Sequence, residues 1–380
     1  MPNASRRHLL IGAAGAAALS SCSARTASLN AEAAGAFPPE EMTLLGPAPG
    51  MARLSSNENP YGPSPSALRM VEYAGRKGAY YATGASAKLK GMIAERHGVT
   101  PDHIAVTTGS GEALSAIAVA YGRRGPMVAP RLFFDFPTFY ATRLGLAEIN
   151  RVPLQADFAL DLPAMEAAVT GETGFVQLCN PNNPTGLLEP AVPFQEAVKR
   201  MAQKTTVVVD EAYMELVDDP DANTCIGLVK DGHNVIVTRT FSKLYGMAGL
   251  RVGYVIAQPD VAKNIQFTAM AWMSGVGIAA AIGCYNDAPF IDYSLSKIRE
   301  GRQQIEASLN ALGVEALPAQ TNFIYFKSGK PADDVRDALK ERDIYIRGKT
   351  MDYVDWSRVS MGKLEDVDRF CMALPEVLGA

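Results

Sequence analysis

From Asn234 to Ala257 the chain reads NVIVTRTFSKLYGMAGLRVGYVIA. The apolar run Val235 to Val237 reads as a buried strand. It leads to Thr240, Ser242 and Lys243, and Arg251 follows before a second apolar run, Val252 to Ala257. A lysine on a loop leaving a buried strand loses solvation, so its pKa falls. A neutral amine of this kind can attack an aldehyde and form a Schiff base. The two hydroxyls and the guanidinium are groups that hold a phosphate. Aldehyde plus phosphate points to pyridoxal 5'-phosphate (PLP). Alone, the lysine reads far more readily as an exposed residue between two strands; its neighbours favour the chemical reading.

Three further stretches bear on that chemistry. Asp210 ends the apolar run TTVVVD. A carboxylate there can pair with a protonated pyridine nitrogen, or it can simply cap a helix. Tyr213 could donate to a phenolic oxygen, or pack as a half-buried ring. Asn180 to Gly186, NPNNPTG, is a turn by composition, and its amides could reach the same oxygen. Gly109-Ser110-Gly111-Glu112 follows the apolar run Ile104 to Thr107 and opens an amphipathic helix. Free backbone N–H groups and the helix dipole favour a phosphate at such a place, although many ordinary strand-to-helix turns share this composition.

These residues need a scaffold that gathers strand ends. Short apolar runs at Met127–Ala129, Glu148–Leu154, Phe175–Leu178, Thr205–Val209 and Asn234–Val237 alternate with helical patterns. Runs apolar on both faces with helices between them predict an α/β domain with a mostly parallel sheet. Ligands in such sheets sit beyond the carboxyl ends of the strands, where Ser110, Asn180 to Gly186, Asp210 and Lys243 fall. Beyond about residue 285 the pattern becomes α+β. It has a long helix to Leu312, runs at Val314–Leu317, Asn322–Phe326 and Ile344–Arg347, a helix near Ala332–Glu341, and Val359 before a last helix. The expected division is an N-terminal arm with part of a smaller domain over 51–75, a large domain over 76–285, and the smaller domain over 286–380. With 380 residues, 48% of them hydrophobic, the chain can bury a core for two domains. A formal charge of −4 argues against non-specific nucleic-acid binding. Four histidines and five scattered cysteines show no metal-site spacing.

Four motifs in order, NENPYGPSP, NPNNPTG, VVVDEAY and TFSKLYGMAGLRVGY, resemble the fold-type I PLP-dependent aminotransferases of class I/II. The closest likeness is to the histidinol-phosphate aminotransferase family, over about residues 52 to 375. The resemblance implies a large domain with a seven-stranded, mostly parallel sheet. It makes Lys243 the Schiff-base lysine and proton shuttle, and Asp210 the partner of the pyridine nitrogen. It places Asn183 and Tyr213 on the ring oxygen. Ser110, Gly111, Glu112, Thr240, Ser242 and Arg251 hold the phosphate, partly by backbone. The segment LFFDFPTFYATRLG departs from the family form, and counting back from Gly145 favours Phe134 as the ring-stacking aromatic. Tyr81 matches a tyrosine that reaches the neighbouring subunit's cofactor, which implies a homodimer. Arg358 matches the arginine on the substrate α-carboxylate and Arg347 one for the distal group. Asn59 and Tyr61 lie on an arm expected to cover the substrate.

The implied reaction moves an amino group between an amino acid, or an amine like histidinol phosphate, and a 2-oxo acid such as 2-oxoglutarate. The alternatives are a PLP decarboxylase of the same fold, of the threonine-phosphate type, and a non-catalytic exported relative. The N-terminus bears on the choice. Arg6 and Arg7 precede the apolar run Leu9 to Leu19, as in twin-arginine export signals, and Leu19-Ser20-Ser21-Cys22 resembles a lipoprotein cleavage box with Cys22 as a lipid anchor. Residues 1–22 are therefore read as an export signal and 23–50 as a linker. The expected location is periplasmic or membrane-anchored, with the cytoplasm as alternative. Histidine biosynthesis is cytosolic, so an export address suggests other amino-acid substrates, aromatic ones among them.

Overall fold

Seven short strands pair into one sheet, in the order β2-β8-β7-β6-β5-β3-β4. They are β2 (Ile104–Thr107), β3 (Met127–Pro130), β4 (Ile149–Val152), β5 (Phe175–Cys179), β6 (Thr206–Asp210), β7 (Val235–Thr240) and β8 (Gly253–Ile256). This computed structural model describes residues 45–269 and 272–379. The export segment with Arg6, Arg7 and Cys22, and most of the 23–50 linker, lie outside the described residues.

The pairs β4–β3, β3–β5, β5–β6 and β6–β7 are parallel; β8 runs antiparallel to both its neighbours, β7 and β2. Successive side chains of a strand point to opposite faces, and both faces here are covered. Val207 and Val209 pack in one core with Phe194 and Val198, from the helix Ala191–Ala202. Val208 packs in the other with Leu114 and Ile117, from the helix Ser110–Gly122. Each valine so buried stabilises the fold by roughly 1.5–3 kcal/mol relative to exposure. That double burial is why these strands are apolar throughout.

The topology also decides where the chemistry falls. Strands β2, β5, β6 and β7 point the same way, so their carboxyl ends share one edge. Strand β8 runs back and begins at that edge, with Gly253 opposite both Thr107 and Thr240. Arg251, two residues earlier, therefore arrives at the same place.

A second core holds β9 (Phe323–Lys327) and β11 (Trp356–Ser360), which pair antiparallel. Beside them β1 (Ala52–Arg53) pairs parallel with β10 (Ile344–Tyr345). Ala52 and Leu54 pack there with Ile305, Phe326 and Phe370. The 51–75 segment thus divides, because Ala67 of the helix Pro65–Gly75 packs in the sheet's own core. The helix Ala288–Ala311 joins the two cores: Ile298 packs in the first, Ile305 and Leu309 in the second. Val314–Leu317, expected as a strand, makes only the bridge Ala316 to Phe326. That bridge rests on two backbone bonds, from the Leu317 N–H to the Tyr325 carbonyl (2.9 Å) and from the Lys327 N–H to the Glu315 carbonyl (2.8 Å).

Beneath the strand ends lies a buried ion pair. Glu211 and Arg239 are 0% and 4% exposed, with Nη2 to Oε2 at 2.7 Å. The Glu211 carboxylate also accepts from Thr224 Oγ1 (2.7 Å) and the Cys225 backbone N–H (2.6 Å). Buried charges persist only when paired and hydrogen-bonded in this way.

Candidate active site

A cavity of about 760 Å³ opens at the edge where the strands end. Thirteen of the residues singled out from the sequence line it: Ser110, Gly111, Glu112, Phe134, Asn183, Asp210, Tyr213, Thr240, Ser242, Lys243, Arg251, Arg347 and Arg358. They come from six separate stretches of chain, and the sheet brings them together.

Lys243 and Asp210 dominate the electrostatics. The Lys243 Nζ donates to the Asn57 carbonyl at 3.0 Å and lies 5.5 Å from the centre of the Tyr213 ring. Burial lowers its pKa to about 8, and the nearby Arg358 and Arg251 cations push the same way; Glu58 and Asp210 oppose them. The residual exposure of this lysine is to the cavity it lines. Asp210 is 1% exposed, and burial raises its carboxyl to about 6 despite a hydrogen bond from Thr238 Oγ1 at 2.8 Å and the nearby lysine. Each group is disfavoured in its charged form, which suits an amine and an acid that act rather than brace.

A hydrogen-bonded chain crosses the cavity wall. Arg358, buried, donates from Nη1 to Asn183 Oδ1 (2.6 Å) and from Nη2 to the Ser55 carbonyl (3.0 Å). Asn183 Nδ2 then donates to the Tyr213 hydroxyl at 3.2 Å. An arginine can only donate, so this contact orients the asparagine amide. Burial lowers the Arg358 pKa to about 10 and raises that of the Tyr213 phenol. Arg347 meets Arg358 through a backbone bridge, and its exposed side chain has no hydrogen-bond or ion-pair partner among the described residues.

The opposite end of the cavity is a cradle. The helix Ser110–Gly122 presents its first backbone N–H groups there, unpaired within the helix by geometry. Glu112 uses its carboxylate to accept from the Thr108 N–H (2.6 Å), which ties the first turn of the helix to the residue before its Gly109 cap. Thr240 Oγ1 donates to Ser242 Oγ (2.9 Å), which also accepts from Arg251 Nη1 (3.4 Å). Two glycines keep this end open. Gly109 has φ +88° and a Cβ there would meet Arg251 Nη2 at 2.5 Å; a Cβ on Gly253 would meet the Ser110 nitrogen at 2.4 Å. The donor set fits PLP: a cationic and N–H-rich cradle for a phosphate, an amine for an aldehyde, a carboxylate for a ring nitrogen, and phenol and amide groups for a ring oxygen.

Three expected residues lie elsewhere. Asn59, expected at the substrate, is buried and donates from Nδ2 to the Leu244 carbonyl (2.8 Å) and to Ser294 Oγ, so it clasps the arm to the residue after Lys243. Tyr61 accepts from the Leu364 N–H (2.9 Å) through its hydroxyl and packs edge-on against Tyr293. Tyr81 is 81% exposed, beside Trp272, outside its own subunit's cavity lining. Conversely, Asn57, Glu58, Phe136 and Phe139 line the cavity and were not picked out. The NENP arm signalled an ordered turn, but its composition does not say which asparagine faces inward.

The raised Asp210 carboxyl carries a pH signature in the cofactor-free protein. Between about pH 4 and 6 the folded state binds more protons than the unfolded state, so this group's contribution to stability falls as pH rises. Asp210→Asn removes that cost and is expected to raise cofactor-free stability at pH 8 by up to about 3 kcal/mol, with little gain at pH 4. Denaturant melts at both pH values measure it; an Asn variant no more stable at pH 8 contradicts the assignment.

The chain matches the family "Aminotransferase class I and II" over residues 49–374. Histidinol-phosphate aminotransferase of Symbiobacterium thermophilum is 35% identical over 333 residues, covering 87% of this chain and 91% of that protein. The protein of the same name from Halalkalibacterium halodurans is 31% identical, covering 86% and 89%. Among solved structures, histidinol-phosphate aminotransferase from Sinorhizobium meliloti in complex with pyridoxal-5'-phosphate superposes with a TM-score of 0.79 at 32% identity, covering 86% of this chain and 90% of that one. The chain belongs to the class I and II aminotransferases, and within them to the histidinol-phosphate aminotransferase family.

Proposed function

We propose that this aminotransferase uses PLP to move the amino group of histidinol phosphate, or an amine of like chemistry, to 2-oxoglutarate, yielding glutamate. The observation that carries the reading is the pairing of Lys243 and Asp210 with two arginines in one cavity, Arg358 buried within it and Arg347 exposed and unpaired. Relatives named for histidinol phosphate support the amine.

Bound PLP supplies an aldehyde carbon and an electron-accepting ring. Asp210, buried at the end of β6, pairs with the ring nitrogen and keeps it protonated. Asn183 and Tyr213 hold the ring oxygen, and Phe134 packs on the ring. Ser110, Gly111, the Glu112 backbone, Thr240, Ser242 and Arg251 hold the phosphate. Lys243, with its pKa near 8, is neutral in a useful fraction at physiological pH. Its Nζ would take the proton from the substrate Cα as general base and, as general acid, deliver it to the former aldehyde carbon rather than back to Cα. Arg358 grips the α-carboxylate of glutamate in a bidentate fashion, and Arg347 takes the distal carboxylate or phosphate. A screen of amines against 2-oxoglutarate, read as glutamate formed, is expected to rank histidinol phosphate first, with Lys243→Ala inactive and lacking the visible band of bound PLP. Release of carbon dioxide from threonine phosphate, or faster turnover of aromatic amino acids, contradicts the substrate.

We also propose a homodimer in which Tyr81 reaches the partner's cofactor phosphate. The exposed aromatic surface formed by Tyr80, Tyr81 and Trp272 supports this. Sedimentation is expected to give twice the chain mass, and Tyr81→Phe to weaken PLP binding severalfold; a monomer with unchanged PLP affinity overturns it. Finally, SRRHLL and the LSSC box support twin-arginine export with a lipid anchor at Cys22. Fractionation is expected to find a chain processed before Cys22 in the periplasmic or membrane fraction, and an intact cytosolic chain contradicts export.

A further inference from the structure

Asn57 occupies a position that none of the roles above explains. It is buried, and it takes the left-handed conformation at φ +54°, which asparagine tolerates better than other side chains with a Cβ. That conformation sends its backbone and side chain to different groups. Its carbonyl accepts from Lys243 Nζ and from Asn322 Nδ2, each at 3.0 Å. Its N–H donates to Ser360 Oγ at 2.9 Å, and the Ser360 hydroxyl donates back to Asn57 Oδ1 at 2.7 Å. With Oδ1 so occupied, the amide turns Nδ2 toward Tyr213 and donates to its hydroxyl at 3.1 Å.

Tyr213 therefore receives two N–H donors, from Asn57 and Asn183. Each amide is held in that orientation by a donor on its own oxygen, Ser360 for one and Arg358 for the other. A phenol oxygen has two lone pairs and one proton. With both lone pairs engaged, only the proton remains, and it has no acceptor among the described residues. The ring lines the cavity. We propose that Asn57, oriented by Ser360, is a positioning residue that fixes the Tyr213 hydroxyl as a proton donor into the cavity. This rests on the reading above, in which that hydroxyl faces the phenolic oxygen of PLP. Ser360 ends β11, two residues after Arg358. The strand carrying the carboxylate-binding arginine thus also sets the acidity of the group that holds the cofactor oxygen.

The test is a pH titration of the visible absorption of the PLP-loaded protein, without substrate. A donor onto the phenol oxygen makes the phenol a stronger acid and a better support for an anionic ring oxygen. Asn57→Ala and Ser360→Ala are each expected to raise the titration midpoint by about half a pH unit or more. If Ser360 acts through Asn57, the double variant shifts no further than Asn57→Ala alone. An unmoved or lowered midpoint overturns the proposal, as does a double variant whose shift is the sum of the two. Should Asn57→Ala fail to fold, Ser360→Ala decides alone, by a raised or an unmoved midpoint. A wild-type protein with no visible band overturns the PLP reading and this inference together, whereas a normal wild-type titration with indifferent variants defeats this inference only.

Discussion

The structure turns on keeping an amine and a carboxylate together where water is scarce. Asp210 ends β6 and Lys243 lies three residues past the end of the neighbouring parallel strand β7, and each sits at a pKa displaced toward its neutral form. The next residue along shows what full compensation looks like. Glu211 has Arg239, Thr224 and the Cys225 N–H around its carboxylate, while Asp210 has Thr238 as its one side-chain donor among the described residues. Two adjacent acids are thus treated differently: one is bound into the frame, the other is left electrostatically unsettled. Such unevenness lowers stability locally and marks where chemistry is done.

The sheet makes this arrangement possible. Five strands side by side in one direction align their carboxyl ends, and β8 alone runs back. That reversal delivers Arg251 to the edge where Ser110 begins its helix. Gly109 and Gly253 are needed because backbone and guanidinium approach there more closely than a Cβ permits.

Much of this was legible in the residues. The strands of the main sheet announce themselves because both faces are buried, so Val207 to Val209 needs no alternation to interpret. Asp210 and Lys243 were recoverable since one ends a strand and the other lies three residues past the end of the next, and Arg251 since it lies just before the strand that starts at the same edge. What stayed hidden depended on partners far along the chain. Asn57 meets Ser360 and Asn322, hundreds of residues away. Tyr61 spends its hydroxyl on Leu364, and Asn59 its amide on Leu244 and Ser294. The arm's composition marks a turn, but only tertiary contacts decide which of its polar groups become clasps and which reach the cavity. Val314–Leu317 misled for a related reason: its apolar run is real, yet it meets β9 only at the bridge from Ala316 to Phe326.

The helix Ala288–Ala311 is 24 residues long, about 36 Å, and roots its two ends in different cores. It acts as a beam. Arg358 and Ser360 flank Val359, which packs in the core of its far end, while Asp210 ends a strand of the sheet whose core takes Ile298, and Lys243 lies in the loop after the next strand. Rocking of one core against the other would flex this beam, so its stiffness bears on how far Arg358 can travel relative to Lys243.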